Sequence, residues 1–215
     1  MHSSRDGHWR RDAAWPVQAM SPGPTFDRVY LWLKEQLIAG ALPPGSALEP
    51  SHLSDALATS ITPIRDALHR LAGERLVDAS WGEGFRVPAP TEAELRGLYA
   101  WHYMLLDLAL RASNPIRPIG GSADELKLIA DIALRIARRG GAEQIASVAS
   151  VGDRLGAPRA AEIKLFADTD QEIDLLRALI LNDDVRGLKK TLGAYHRRRM
   201  RAVPDIVLAM RSLAV

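Results

Sequence analysis

Cysteine is absent from the 215-residue chain. That excludes structural disulfides and thiolate metal sites, and it fits a reducing compartment such as the cytoplasm. Also missing is any run of about 18 apolar residues, so no segment reads as a membrane span. The first 24 residues lack the apolar core of a secretory signal and read as an arm ahead of the folded chain. There is no P-loop, no dinucleotide-binding glycine pattern and no Ser/His/Asp arrangement, so no enzyme activity, catalytic residue or cofactor is expected. Excess positive charge is scarce as well. The chain is +2 overall, and residues 25–90 hold six bases against eight acids, a net −2. A DNA-binding segment usually carries a basic footprint. Charge alone therefore does not suggest nucleic acid, and pattern has to decide.

The pattern is clearest at Ser60-Ile61-Thr62-Pro63-Ile64-Arg65-Asp66-Ala67-Leu68-His69-Arg70-Leu71. Ser60 is a natural N-cap, and Pro63 sits in the first turn, where its missing N–H costs little. Ile64, Ala67, Leu68 and Leu71 fall at i, i+3, i+4 and i+7, one buried stripe. Thr62, Arg65, Asp66 and His69 share the opposite face, the layout of a DNA recognition helix. Before it, a helix is predicted from Thr25 to Ala39, stopped by Gly40 and Pro43-Pro44-Gly45. A short helix follows from Pro50 to Ala58. After it, Leu76–Ser80 and Phe85–Val87 read as two strands around the turn Trp81-Gly82-Glu83-Gly84. Three helices and a hairpin within about 65 residues is the winged-helix order.

From Thr91 onward the pattern is helical throughout. Thr91 and Glu94 form a capping box that opens a helix to about Ala112. Ser122 caps the next, to Arg139, and another runs from Ala142 to Leu155. Gly156-Ala157-Pro158 reads as a separator before a long helix through Leu181, with Phe166, Thr169, Ile173, Leu176 and Ile180 on one face. A further helix spans 184–202, and Pro204 begins a terminal piece. The expected fold class is mainly α: an arm over 1–24, a winged helix-turn-helix with a small β-hairpin over 25–90, and an all-α helical bundle over 91–215. Asp168, Asp170, Glu172 and Asp174 alternate like a calcium loop but have Ile173 where the turn glycine belongs, so they read as a solvated acidic face. Arg197, Arg198, Arg199 and Arg201 read as charges complementing a helix C-terminus.

In register, the chain resembles the GntR family of transcriptional regulators. That family runs roughly Pro-Gly-x-x-Leu, then Leu-Ala-x-x-Leu-Gly-Val-Ser-Arg-Thr-Pro-Val-Arg-Glu-Ala-Leu-x-x-Leu, then Gly-Leu-Val and a wing Gly-Arg-Gly-Phe-x-Val. Here stand Pro44-Gly45-Ser46-Ala47-Leu48, the run from Leu53 to Leu71, Arg75-Leu76-Val77, and Gly82-Glu83-Gly84-Phe85-Arg86-Val87. The second half, opening Glu94-Leu95-Arg96-Gly97-Leu98-Tyr99, is similar to the FadR-type (FCD) effector domain, over a looser match. The resemblance implies a dimeric regulator, in the repressor mode, on a palindromic double-stranded operator, with a small acid or acyl effector in the bundle. DNA-facing positions are then Ser51, Ser60, Thr62, Arg65, His69, Gly84 and Arg86. Two family contacts are replaced, an arginine by Ile61 and the basic wing tip by Glu83, which implies altered or weaker DNA recognition. Arg5, Arg10 and Arg11, beside Trp9, could reach a groove from the arm; a tail is the plainer reading.

Many FCD domains hold a divalent metal on an aspartate and three histidines. By position this chain offers Asp131-Ile132, Glu172 and Tyr195, with His196 one residue late, so no metal is expected. His102 stands where an arginine is common and Leu106 where a glutamate is. His102, Glu172, Tyr195 and His196 remain as the candidate pocket. The competing reading, motivated by Ile61, Glu83 and the −2 charge, is a dimeric winged-helix interaction module with weak or lost specific DNA binding.

Overall fold

Residues 25–80, 82, 84–116 and 125–212 are described by a computed structural model, with the side chains of 125–127 left aside. The arm, the wing-tip Glu83 and the predicted cap Ser122 lie outside them. The described chain divides into two units, one of the residues up to Gln36 with Pro44–Pro88, the other of Leu37–Pro43 with the residues from Ala89. The whole is mainly helical with one small antiparallel sheet.

In the first unit the apolar periodicity produces α1 (Thr25–Ile38), α2 (Pro50–Ala56) and α3 (Ile61–Gly73). Val29 and Leu33 from α1, Leu53 from α2, and Ile64, Ala67, Leu68 and Leu71 from α3 are buried, joined by Leu76, Val77 and Val87 around the wing. Each large aliphatic buried this way contributes about 2 kcal/mol. The wing pairs β1 (Asp78–Ser80) with β2 (Gly84–Arg86) in the register Asp78↔Arg86, Ala79↔Phe85 and Ser80↔Gly84. It is wider than the predicted hairpin. The segment after Gly45 lies along β2's other edge through Leu48 N–H to Phe85 O at 2.8 Å and Val87 N–H to Ser46 O at 2.9 Å. Pro44-Gly45 therefore turns the chain into a third strand-like edge, which satisfies backbone groups that a lone hairpin would expose.

Two helix ends in this unit are built on left-handed residues other than glycine. Ala58, just after α2, has φ 47°, and Arg75, just after α3, has φ 60°. Arg75 N–H bonds Ala72 O at 3.0 Å and Leu76 N–H bonds Leu71 O at 2.9 Å, the paired bonds of a Schellman ending. Ser60 occupies the N-cap position of α3 as expected, yet its side chain makes no capping hydrogen bond. Its exposed hydroxyl stands clear of the helix it precedes.

The second unit packs α4 (Glu92–Ala109), α5 (Glu125–Ala137), a 3-10 turn (Arg138–Gly140), α6 (Ala142–Arg154), α7 (Gly156–Leu165), α8 (Thr169–Leu181), α9 (Val185–Arg201) and α10 (Val203–Ser212). The Thr91/Glu94 capping box is formed in both directions, with Thr91 N–H to Glu94 Oε2 at 2.8 Å and Glu94 N–H to Thr91 Oγ1 at 3.3 Å. Two boundaries differ from expectation. Gly156-Ala157-Pro158 is the first turn of α7, not a separator. Pro158 is tolerated there because that turn's N–H groups have no intrahelical partner, and a side chain on Gly156 would come within 2.6 Å of the Ile38 backbone. The long helix is instead cut at Phe166, whose backbone is extended and whose carbonyl accepts the Thr169 hydroxyl at 2.8 Å.

Candidate nucleic-acid interface and buried polar cluster

The stripe that buries α3 leaves Ile61, Thr62, Arg65, Asp66 and His69 exposed. Of the arginines on this helix, Arg70 is engaged. Its guanidinium lies 4.0 Å from the Tyr30 ring centre and 3.5 Å from Glu74, which also accepts from Tyr30 at 2.7 Å and Lys34 at 2.8 Å. Arg65 has no hydrogen bond or ion pair among the described residues. Thus one arginine ties α3 to α1 and the other is left facing outward, near the helix N-terminus, where a phosphate or base edge also meets a favourable dipole.

His69 is not a free side chain. Its ring meets Phe85 of β2 edge-on, 4.9 Å between centres and 78° between planes, coupling α3 to the wing. Arg86 lies on the same strand, donating to Gly45 O at 3.3 Å across the sheet from Asp78. Gly84 holds φ 76°, a left-handed conformation that an added side chain would strain. Ser51 is exposed in the first turn of α2, its carbonyl taken by the Ser54 hydroxyl at 2.7 Å. Ser60, Thr62 and Arg65 are neighbours on or before one turn of α3, and Gly84 and Arg86 share one strand.

The bundle holds a second polar assembly in its interior. Glu162, on α7, is buried and accepts from Tyr99 of α4, from Tyr195 at 3.3 Å and from Arg199 Nε at 2.9 Å, the last two on α9. Arg199, completely buried, also lies 2.5 Å from Glu172 Oε2, close in charge though off the hydrogen-bond direction. Burial and the adjacent Glu162 carboxylate push the Tyr99 phenol well above its ordinary range and Tyr195 up to about 12. Both phenols stay protonated and act as donors.

Beside this group runs a chain with a fixed direction. His196 Nδ1 lies 2.8 Å from Leu192 O, an acceptor only, so that nitrogen carries the proton. Its Nε2 therefore accepts from His102 Nδ1 at 2.9 Å, and His102 Nε2 faces Arg159 at 3.5 Å. Burial, then the nearby Arg159 cation, hold His102 well below the usual histidine range; burial chiefly lowers His196 to about 4. Two neutral imidazoles joined to each other, next to a guanidinium, do not fit a divalent cation's ligand set. Arg159 itself is buried, bonds Gly152 O at 3.3 Å, and has no partner for Nε among the described residues. With Glu162, Thr169 and Tyr195 it lines a cavity of about 10 Å³, room for a single water.

Of the four pocket candidates, His102 and His196 meet directly, while Tyr195 and Glu172 meet the cluster through Glu162 and Arg199. Asp131 lies away from it, beside Arg135 and Arg177. Two surface readings need correction. Arg199 is interior, and Arg198 is clamped by Asp168 at 2.6 Å and Glu172 at 2.9 Å, so neither simply complements a helix end. Asp168 and Glu172 accordingly are ion-pair partners, and only Asp170 and Asp174 fit a solvated face. Tyr99, Arg159, Glu162 and Arg199 were missed as site residues. Their signal was present: each occupies a core position in a helical stripe, as with Leu155, Arg159 and Glu162 on successive turns.

Residues 25–87 match the family of bacterial regulatory proteins, gntR family. Among curated proteins, the HTH-type transcriptional repressor GlaR of Escherichia coli K12 is 37% identical over 70 residues, 33% of this chain and 32% of that protein. The HTH-type transcriptional regulator McbR of the same organism is 36% identical over 84 residues, 38% of each chain. The match thus spans only about a third of these relatives' length. Among solved structures, E. coli McbR/YncC aligns at TM-score 0.61 and 21% identity over 86% of this chain and 99% of that one. A GntR-type protein of Rhodococcus sp. RHA1 aligns at 0.66 and 17%, over 84% and 97%. At these identities the likeness is one of fold.

Proposed function

We propose, from the GntR-family helix-turn-helix that residues 25–87 form, that this chain is a DNA-binding regulator of transcription, acting as a dimer on a palindromic operator. The observation that carries the reading is Arg65, exposed and without a partner among the described residues, near the N-terminus of a helix whose other side is wholly apolar. Thr62 and Arg65 read base edges in the major groove, where an arginine suits guanine. Ser51, Ser60, Gly84 and Arg86 approach the phosphate backbone. His69 props the wing against the recognition helix. One such unit offers few phosphate contacts, so two half-sites are needed to reach regulatory affinity. Among the described residues no helix is long and apolar enough to cross a membrane, and such a regulator works in the cytoplasm, beside the chromosome.

Binding to the DNA upstream of the protein's own gene, followed by fluorescence anisotropy at two salt concentrations, tests this. Specific binding that weakens steeply with salt is expected. Failure to distinguish that DNA from a scrambled duplex, even at low salt, would remove the regulator reading.

The FCD-like bundle is the proposed sensing part. Arg159, buried with no carboxylate partner and an unpaired Nε among the described residues, supports a small acidic effector as the ligand class. The adjoining cavity admits a water, so a carboxylate enters only if Glu162 moves aside. A thermal-shift series with short mono- and dicarboxylates checks it: at least one should raise the melting temperature with concentration. A flat response across the series would leave the bundle without this role.

A further inference from the structure

Helix α3 holds one large apolar side chain outside its buried stripe. Ile64, Leu68 and Leu71 are buried, whereas Ile61 is 43% exposed as the first residue of the helix, directly after the N-cap Ser60. At about 100° per residue, Ile61 and Arg65 point about 40° apart and form one ridge along the exposed face, with Thr62 beside them. A lone exposed apolar residue needs no explanation on most surfaces. This one stands among the outward groups of the face that carries the DNA reading, in the turn of a recognition helix that comes nearest the base edges. The same turn suits a polyanion in a second way. It holds no acid, although α4 has Glu92 and Glu94 there and α8 has Asp170 and Glu172, and the helix dipole ordinarily favours acids at that end. Ser60 makes no side-chain cap either, so an approaching phosphate meets backbone N–H groups and no like charge.

We propose that Ile61 reads the C5 methyl of a thymine in the major groove and so fixes a T·A pair beside the base pair that Arg65 contacts. The inference rests on the DNA-binding reading of α3 and names one further base of each half-site. Chemistry selects the base. In the major groove adenine, guanine and cytosine present hydrogen-bonding atoms, and thymine alone adds an apolar methyl group. An isoleucine laid on the polar atoms would take water from them and return no hydrogen bond, a penalty that rejects those bases. Laid on a methyl, it removes apolar surface from water on both partners. Position follows from helix geometry. Four residues of helix span about 6 Å, and successive bases on a strand are about 3.4 Å apart along the duplex. The thymine therefore lies within about two base pairs of the guanine that suits Arg65.

Deoxyuridine lacks only this methyl and pairs as thymidine does, so the contact can be deleted from the DNA side. The whole chain is titrated by fluorescence anisotropy onto its specific site in the DNA upstream of its own gene, with the thymines replaced by deoxyuridine one at a time. One replacement in each half-site should weaken wild-type binding about fourfold, the effect of one buried methyl group. Both together should weaken it by about the square of that. Ile61→Ala should bind the thymine site more weakly than wild type, with an unchanged melting temperature, and should no longer distinguish uracil from thymine there. Ile61→Val, which keeps a branched apolar end, should retain most of the discrimination. Specific wild-type binding that no single deoxyuridine weakens would overturn the inference and leave the DNA-binding reading standing. So would uracil sensitivity that is the same in wild type and Ile61→Ala, since another group would then hold the methyl. Absence of specific binding to the unmodified duplex would remove the DNA-binding reading, and the role of Ile61 with it.

Discussion

The two units handle their polar residues in opposite ways. In the winged helix the interior is apolar and the informative charge, Arg65, is outside and unpartnered among the described residues. In the bundle, Arg159, Glu162, Arg199 and two histidines lie inside and are linked to one another and to the two tyrosines. An exposed charge costs little to leave unpaired, so it can await a partner. A buried one has to be satisfied at home or the fold suffers. The first arrangement is suited to recognising something else. The second holds its own helices in register, with Arg159 Nε among the buried nitrogens left without a hydrogen bond in the described residues.

That contrast can be broken most sharply at Glu162. Glu162→Ala leaves Tyr99 and Tyr195 without their acceptor and Arg199 with Glu172 alone, and should cost about 3–5 kcal/mol in urea denaturation, as removal of one partner from a buried ion pair does. Glu162→Gln, which keeps an acceptor, should cost less. A loss under about 1 kcal/mol for the alanine variant would mean that the cluster is not a structural network.

A smaller effect comes from pH. His196 is held neutral in the fold, mainly by burial, with a pKa of about 4, against about 6.5 when unfolded. Between these values the unfolded chain binds the proton more readily. Stability is therefore complete above about pH 6.5 and falls as acid is added, by roughly 2 kcal/mol at pH 5 for this group. Denaturation midpoints at pH 7 and 5 check the sign, and His196→Gln should shrink the difference. Equal midpoints in the wild-type chain would contradict the neutral pair.

In the other unit, Arg65→Ala should lower operator affinity by roughly 1–3 kcal/mol while leaving the melting temperature unchanged. A change in melting temperature with intact affinity would make Arg65 a structural residue. The smallest effects belong to the two left-handed positions. Ala58→Gly and Arg75→Gly should each stabilise the chain by up to about 1 kcal/mol, because glycine adopts those conformations without strain. Destabilisation by either would show that the side chain contributes more than its backbone costs.

Much of the first unit was readable in advance because its rules are local. The stripe Ile64, Ala67, Leu68 and Leu71 and the glycine-rich wing are each specified by neighbours in sequence, as is the Thr91 capping box at the start of the second unit. The bundle's interior was not readable in that way. Glu162 and Arg199 are 37 residues apart, and although each falls at a core position of its own helix, only the meeting of α7 with α9 makes them a pair. Pro158 and Gly156 misled for a related reason. Both are turn residues by habit, yet a first helical turn also tolerates proline, and Gly156 gives the Ile38 backbone room. The strain at Ala58 and Arg75 was visible only through the family pattern, which has glycine at both places.

The central claim is that α3 and its wing read DNA as one half of a two-fold pair. Hydroxyl-radical footprinting on the DNA upstream of the protein's own gene tests it most directly. The expected result is two protected segments, symmetric about a centre and about one helical turn apart, both lost together on substitution of Arg65. Protection spread evenly along the fragment, unchanged by Arg65→Ala, would contradict it.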